Sequence, residues 1–137
     1  MNVREIMTTN VECVIPGESA SELARKMKSL DVGFLGVCDS DRLVGSVTDR
    51  DIVVRCLATN RDAKSCVASD IMTKDVIWCY EDDDVKDVAK KMSDKNVRRI
   101  FILSKDKRLV GVVSLGDISK VEEKESGKTL KDISEAA

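Results

Sequence analysis

The stretch Arg42-Leu43-Val44-Gly45-Ser46-Val47-Thr48-Asp49-Arg50-Asp51 returns 66 residues later as Arg108-Leu109-Val110-Gly111-Val112-Val113-Ser114-Leu115-Gly116-Asp117. Upstream, Ile6-Met7-Thr8 returns as Ile71-Met72-Thr73, and Ala24, Lys26 and Met27 return as Ala89, Lys91 and Met92. The offset is 65 through Asp41 and 66 afterwards, Lys107 being the one insertion. A fixed offset over so many matches marks a duplication, so one supersecondary unit is read once and applied twice.

Within each copy the hydrophobic period changes from helical to extended. Ala20, Leu23, Ala24 and Met27 fall on one helical face, as do Val85, Val88, Ala89 and Met92. Ser19 with Glu22, and Asp84 with Asp87, supply the N-cap signals, and Pro16-Gly17 and the acidic run Glu81 to Asp84 are the turns leading in. Two short apolar runs follow each helix: Val32 to Cys38 and Leu43 to Val47 around Asp39-Ser40-Asp41, then Val97 to Leu103 and Leu109 to Val113 around Ser104 to Lys107. Their length and turn chemistry predict hairpins. A second helix begins near Thr48 and near Ser114. The expected architecture is α/β (α+β), two β-α-β-β-α repeats packed as one pseudo-twofold module, because one such unit is too small to be stable alone. The boundaries read as 3–57 for the first repeat, 58–66 for a polar linker, 67–120 for the second repeat and 121–137 for a charged tail. Leu130-Lys131-Asp132-Ile133 in that tail resembles the opening of each repeat, so docking on the module stands beside simple disorder.

Composition narrows the function classes. In 137 residues, 23 basic and 25 acidic side chains leave a net charge of −2, so no global positive field draws the chain to nucleic acid or an anionic membrane. Histidine is absent, which removes the usual general base, the Ser-His and Cys-His nucleophile pairs and the commonest zinc ligand. No apolar run approaches the roughly 18 residues of a membrane span, so a soluble, cytoplasmic protein is expected. Its five cysteines include no Cys-x-x-Cys pair. Cys13 and Cys38 lie in apolar runs and are expected to be reduced, buried and inert.

The turn after the third strand carries the chemistry: Thr48 is followed three residues on by Asp51, and Ser114 by Asp117. Two readings fit this spacing. It is a capping box for the helix that starts there. It is also a nucleotide cradle, with a hydroxyl and a helix start for phosphate and a carboxylate that accepts from a vicinal diol.

Jointly and in duplicate, the Ile-Met-Thr openings, the Leu-Val-Gly strands and both Gly-x-x-(Thr/Ser)-x-x-Asp turns resemble the tandem CBS domain pair, or Bateman module, from Val3 to Ser119. The likeness is to small stand-alone prokaryotic CBS-pair proteins. The resemblance implies a regulatory module that holds AMP, ADP, ATP or a related adenosyl ligand in clefts between the repeats and does no chemistry on it. It assigns the ribose to Asp51 and Asp117, and phosphate or ribose to Thr48 and Ser114. Arg98 and Arg99, at the start of a strand, take a phosphate role by the same likeness, with a salt-bridged strand rim as the plain alternative. Arg50 places a cation beside Asp51 where Gly116 precedes Asp117, so two inequivalent sites are expected. No cofactor is implied beyond the nucleotide as regulatory ligand. The expected partners are an adenosine-containing small molecule, a second copy in a homodimer and an unidentified target protein, but no membrane and no nucleic acid. Apolar Val53, Val54 and Leu57 are compatible with the dimer. Gly33 and Gly36 leave room for a planar base, or else mark a bulge. Of Trp78 and Tyr80, one stacks on a base, or one is core and the other surface. The rival functions are an enzyme, for which only carboxylates are available, and a dimerisation or nucleic-acid-binding module without a nucleotide, for which Arg98-Arg99 is a thin basic patch.

Overall fold

In the computed structural model, which describes residues 1–121, these form two compact units, one of Val11–Val76 and one of Met1–Asn10 with the described residues from Ile77. The first contains strand β1 (Cys13–Val14), helix α1 (Ala20–Leu30), β2 (Phe34–Asp39), β3 (Arg42–Thr48), α2 (Asp49–Asp51) and the short α3 (Ala68–Ile71). After Asp51 the backbone stays helical, as a π-helical turn over Ile52–Cys56 and a 3-10 turn over Leu57–Thr59. Ser19 caps α1 by accepting the Glu22 N–H, and Asp31 ends it in the left-handed region at φ 56°. Helix α1 is the crossover that makes β1 and β2 parallel, while β2 and β3 form an antiparallel hairpin. Ser40 and Asp41 close that hairpin with φ 52° and 67°, the two-residue loop whose twist matches the strands. Leu23, Met27, Leu35, Val37, Val47, Ile52 and Ile71 meet in the core. Each such side chain contributes about 1.5–3 kcal/mol by leaving water.

The second unit repeats the plan with β4 (Trp78–Tyr80), α4 (Val85–Lys95), β5 (Arg99–Leu103), β6 (Leu109–Ser114) and α5 (Leu115–Val121). Its sheet order is β4-β5-β6, parallel then antiparallel. Asp84 caps α4 by accepting the Lys86 N–H, and Asn96 ends it at φ 55°. The predicted α/β class and the strand-helix-strand-strand-helix order are therefore present in each unit.

Each unit takes its Ile-Met-Thr segment from the other sequence repeat. Val3 is fully buried in the core of Val85, Val88, Met92, Ile100 and Ile118. Its N–H donates to the Asp83 carbonyl at 2.9 Å, and Thr8 exchanges both backbone bonds with Val112. In the Val11–Val76 unit, Thr73 exchanges both bonds with Ser46, and the Ala68 N–H donates to the Glu18 carbonyl. Two identical motifs offer two equally good partners, and local patterning does not choose between them.

Two expectations are corrected. Cys13 and Cys38 are not reduced thiols: they are joined in a disulfide across 25 residues, and Cys13 is exposed. In the parallel β1–β2 pair, Cys13 faces Gly36 and Val14 faces Val37, which brings Cys13 and Cys38 to Cα atoms 5.6 Å apart. Trp78 and Tyr80 are not divided between core and surface. Strand alternation sends both to one face, half-buried and edge to face at 4.9 Å, while Cys79 between them enters the core. Lys91 stands over the Trp78 ring at 5.6 Å and donates to the Trp78 carbonyl at 2.7 Å. The tail segment Leu130 to Ile133 lies outside the described residues. Among the described residues no helix is long and apolar enough to cross a membrane.

Candidate functional site

Each third strand ends in the same reciprocal pair. The Asp51 N–H donates to Thr48 Oγ1 at 3.1 Å, and the Thr48 N–H donates to Asp51 Oδ2 at 2.8 Å. The Asp117 N–H donates to Ser114 Oγ at 3.1 Å, and the Ser114 N–H donates to Asp117 Oδ2 at 2.9 Å. The capping reading is thus realised in both turns. Capping uses one carboxylate oxygen and one hydroxyl lone pair, so each aspartate keeps its Oδ1 and each hydroxyl its own proton. Thr48, Asp51, Ser114 and Asp117 are all half-buried, at the edge of water.

Strand register sets what stands beside each turn. Phe34 pairs with Thr48, and the Gly33 carbonyl accepts the Asp49 N–H at 2.9 Å. Arg99 pairs with Ser114, and the Arg98 carbonyl accepts the Leu115 N–H at 2.8 Å. Arg98 and Arg99 therefore share one end of their sheet with Ser114 and Asp117, both exposed, and the Arg98 guanidinium has no partner among the described residues. At the Thr48 turn, by contrast, a Cβ on Gly33 would lie 2.9 Å from Asp49 Oδ2, so the glycine makes room for that carboxylate. Arg50 is exposed there, and its N–H donates to Asp49 Oδ1 at 2.8 Å. Two arginines stand at the strand start beside the Ser114 turn, whereas Gly33 and Phe34 stand there beside the Thr48 turn, with Asp49 as a second carboxylate.

One residue of this neighbourhood escaped the sequence reading. Arg55 Nε stands 3.7 Å from Asp51 Oδ1, and its Nη1 donates to the carbonyls of Ile71 at 3.2 Å and Met72 at 3.4 Å. The signal was present: an acid four residues before a base on one helical stretch is a side-chain pair. Thr73 and Thr8, held beside Ser46 and Val112 by the exchanged segments, were out of reach of local patterning.

The remaining reactive groups are quiet. Burial pushes the Cys79 thiol up to about 11. Burial, together with a hydrogen bond and charge repulsion from Cys56, pushes the Cys66 thiol up to about 11 as well. Neither is a thiolate nucleophile at neutral pH. Among the described residues no group of three or more potential ligands is placed to hold a metal ion.

The sequence matches the CBS domain over residues 3–57 and again over 68–124. The uncharacterised protein YlbB of Bacillus subtilis is 36% identical over 137 residues, covering 97% of this chain and 91% of that protein. An uncharacterised Methanopyrus kandleri protein is 32% identical over 123 residues, 89% of this chain, and the chain spans 63% of its length. Two solved structures share the fold. Hypoxic Response Protein I, a structure with two coordinated zinc ions, superposes with a TM-score of 0.79 at 33% identity, covering 88% of this chain and 98% of the other. The CBS domain pair of protein MJ0100, in complex with 5′-methylthioadenosine and S-adenosyl-L-methionine, gives a TM-score of 0.76 at 30% identity over 93% and 98%.

Proposed function

The chain belongs to the CBS domain family, with two copies of the domain, and from that premise we propose that it is a cytoplasmic regulatory module that binds an adenosine-containing ligand and signals its presence to a partner protein. The observation that carries this reading is the duplicated turn, in which a half-buried hydroxyl and carboxylate stand together at a sheet end with binding capacity left over. The complex of the MJ0100 pair with 5′-methylthioadenosine and S-adenosyl-L-methionine supports the ligand class.

In this reading Asp51 and Asp117 accept from the ribose hydroxyls, and Thr48 and Ser114 donate to ribose or phosphate. Arg98 and Arg99 hold phosphate at the Ser114 turn, and Arg50 is the cation available at the Thr48 turn. The two sites are inequivalent because their neighbours differ in charge. Val53, Val54 and Leu57 are exposed on one helical stretch, which favours self-association into a homodimer.

Calorimetric titration with AMP, ADP, ATP, 5′-methylthioadenosine and S-adenosyl-L-methionine tests the reading. At least one ligand should bind without being consumed, and Asp51→Ala and Asp117→Ala should weaken binding unequally, the larger loss being about tenfold or more. Absence of binding by all five would overturn the ligand reading. Equal losses would overturn the inequivalence, and turnover of a nucleotide would favour an enzyme.

A further inference from the structure

The two turns share their cap but not what faces the remaining carboxylate oxygen. Asp51 Oδ2 is spent on the Thr48 N–H, and Oδ1 faces the Arg55 guanidinium at 3.7 Å. Arg55 is itself held by the carbonyls of Ile71 and Met72, so its charge is fixed beside Asp51. In the other unit the position that matches Arg55 in the repeat is Val121. Asp117 Oδ1 has no ion-pair partner among the described residues.

We propose that Arg55 is a latch on the Thr48–Asp51 turn: it engages the carboxylate oxygen that a ligand's diol would use and ties that carboxylate to the Ile71-Met72 segment. This rests on the adenosyl-ligand function proposed above. A hydroxyl donating to Oδ1 competes with Arg55 for the same charge, so the Asp51 turn binds a diol less well than its own geometry allows. When a ligand does bind there, Arg55 is drawn off Asp51 and its hold on the two carbonyls weakens. Ligand occupancy then reaches a segment more than a dozen residues away, in one unit only. The pair is weak enough to be displaced, since its arginine is 51% exposed and its aspartate 15%. An ion pair of this exposure changes an affinity by up to about fivefold.

The test isolates each turn with the five adenosyl probes named above. In an Asp117→Ala background, adding Arg55→Met should tighten binding at the Asp51 turn by about two- to fivefold. The gain should vanish for a 2′-deoxy analogue of whichever probe binds, which lacks the diol. In an Asp51→Ala background, Val121→Arg should weaken the Asp117 turn by a similar factor. Amide exchange at Met72 and Thr73 should quicken when ligand binds the Asp117→Ala protein. A merely structural arginine would leave affinity unchanged or lower it on removal. Either result in Arg55→Met, with wild-type binding intact, overturns the latch alone. Failure of the wild type to bind any of the five probes overturns the adenosyl function, and the latch with it.

Discussion

The sulfur of Met72 fills the space that a side chain on Gly45 would need: a Cβ there would lie 2.6 Å from Met72 Sδ and 2.9 Å from the Thr73 carbonyl oxygen. Gly111 stands in the same relation to Met7, at 2.6 Å from its sulfur and 2.9 Å from the Thr8 carbonyl oxygen. The Leu-Val-Gly strand and the Ile-Met-Thr segment are therefore two halves of one joint, and each joint unites the two sequence repeats. A methionine tip can swing aside, but a carbonyl held in a backbone bridge cannot without breaking the bridge. Gly45→Ala and Gly111→Ala should each destabilise the protein by about 1–3 kcal/mol. Chemical denaturation is the measurement, and a loss below about 0.5 kcal/mol would show that the segment yields without cost.

Deleting residues 1–10 should disrupt the unit that begins at Ile77. Val3 is fully buried there, and the backbone bonds from Val3 to Asp83 and between Thr8 and Val112 go with it. Loss of the buried Val3 side chain alone costs about 1.5–3 kcal/mol before the hydrogen bonds are counted. Hydrogen exchange should show β5 and β6 losing protection first, with β2 and β3 affected less.

The Cys13–Cys38 bond ties the two-residue edge strand β1 to β2 and closes a 25-residue span. The matching edge strand β4 is held instead by the Lys91 bond to the Trp78 carbonyl, whereas Lys26, which matches Lys91, pairs with Glu18 at 3.1 Å. Reduction, or Cys13→Ser with Cys38→Ser, should lower stability by about 3 kcal/mol on the loop-entropy account. Protease sensitivity should rise around Cys13. Whether the bond forms depends on the redox state of the compartment, so alkylation and mass measurement of protein taken directly from cells would give the fraction bonded in place.

Acid should weaken the molecule through two capping carboxylates. The Val67 N–H, and after it Arg61, holds Asp70 below its ordinary 3.8. The Lys86 N–H, and after it the terminal ammonium, does the same for Asp84. A lowered folded value means the unfolded chain takes up the proton first. The stabilisation is therefore complete above about pH 4 and disappears as pH falls from 3.8 through the lower folded values. Asp70→Asn and Asp84→Asn should flatten the stability profile below pH 4 relative to wild type, and an unchanged profile would remove these groups from the account.

At the alkaline end the sign reverses. Cys66 and Cys79 rise from 9.0 to about 11 on folding, so their neutral thiols favour the folded state fully below pH 9 and that support is lost as pH climbs to about 11. Iodoacetamide at pH 8 should leave Cys56, Cys66 and Cys79 unmodified in the native protein and label all three after unfolding. Fast labelling of the native state would contradict their burial.

Residue order alone determined the duplication, the two helical stripes, their Ser19 and Asp84 caps, the hairpins and the hydroxyl-x-x-aspartate turns. These are properties of neighbours a few residues apart, where periodicity and hydrogen-bonding side chains act directly. The family likeness assigned Arg98 and Arg99 a role beside Ser114 and Asp117, and the β5–β6 register, which pairs Arg99 with Ser114, sets them at one sheet end. Tertiary structure decided the rest. It sent each Ile-Met-Thr segment to the strand of the other repeat, a choice between equivalent partners that no local pattern expresses. It brought Cys13 to Cys38 through the parallel pairing that helix α1 imposes, and it set Arg55 against the distant carbonyls of Ile71 and Met72. In each case the deciding contact joins positions whose separation depends on how the sheet is assembled, and that assembly is governed by burial of the whole core rather than by the residues in contact.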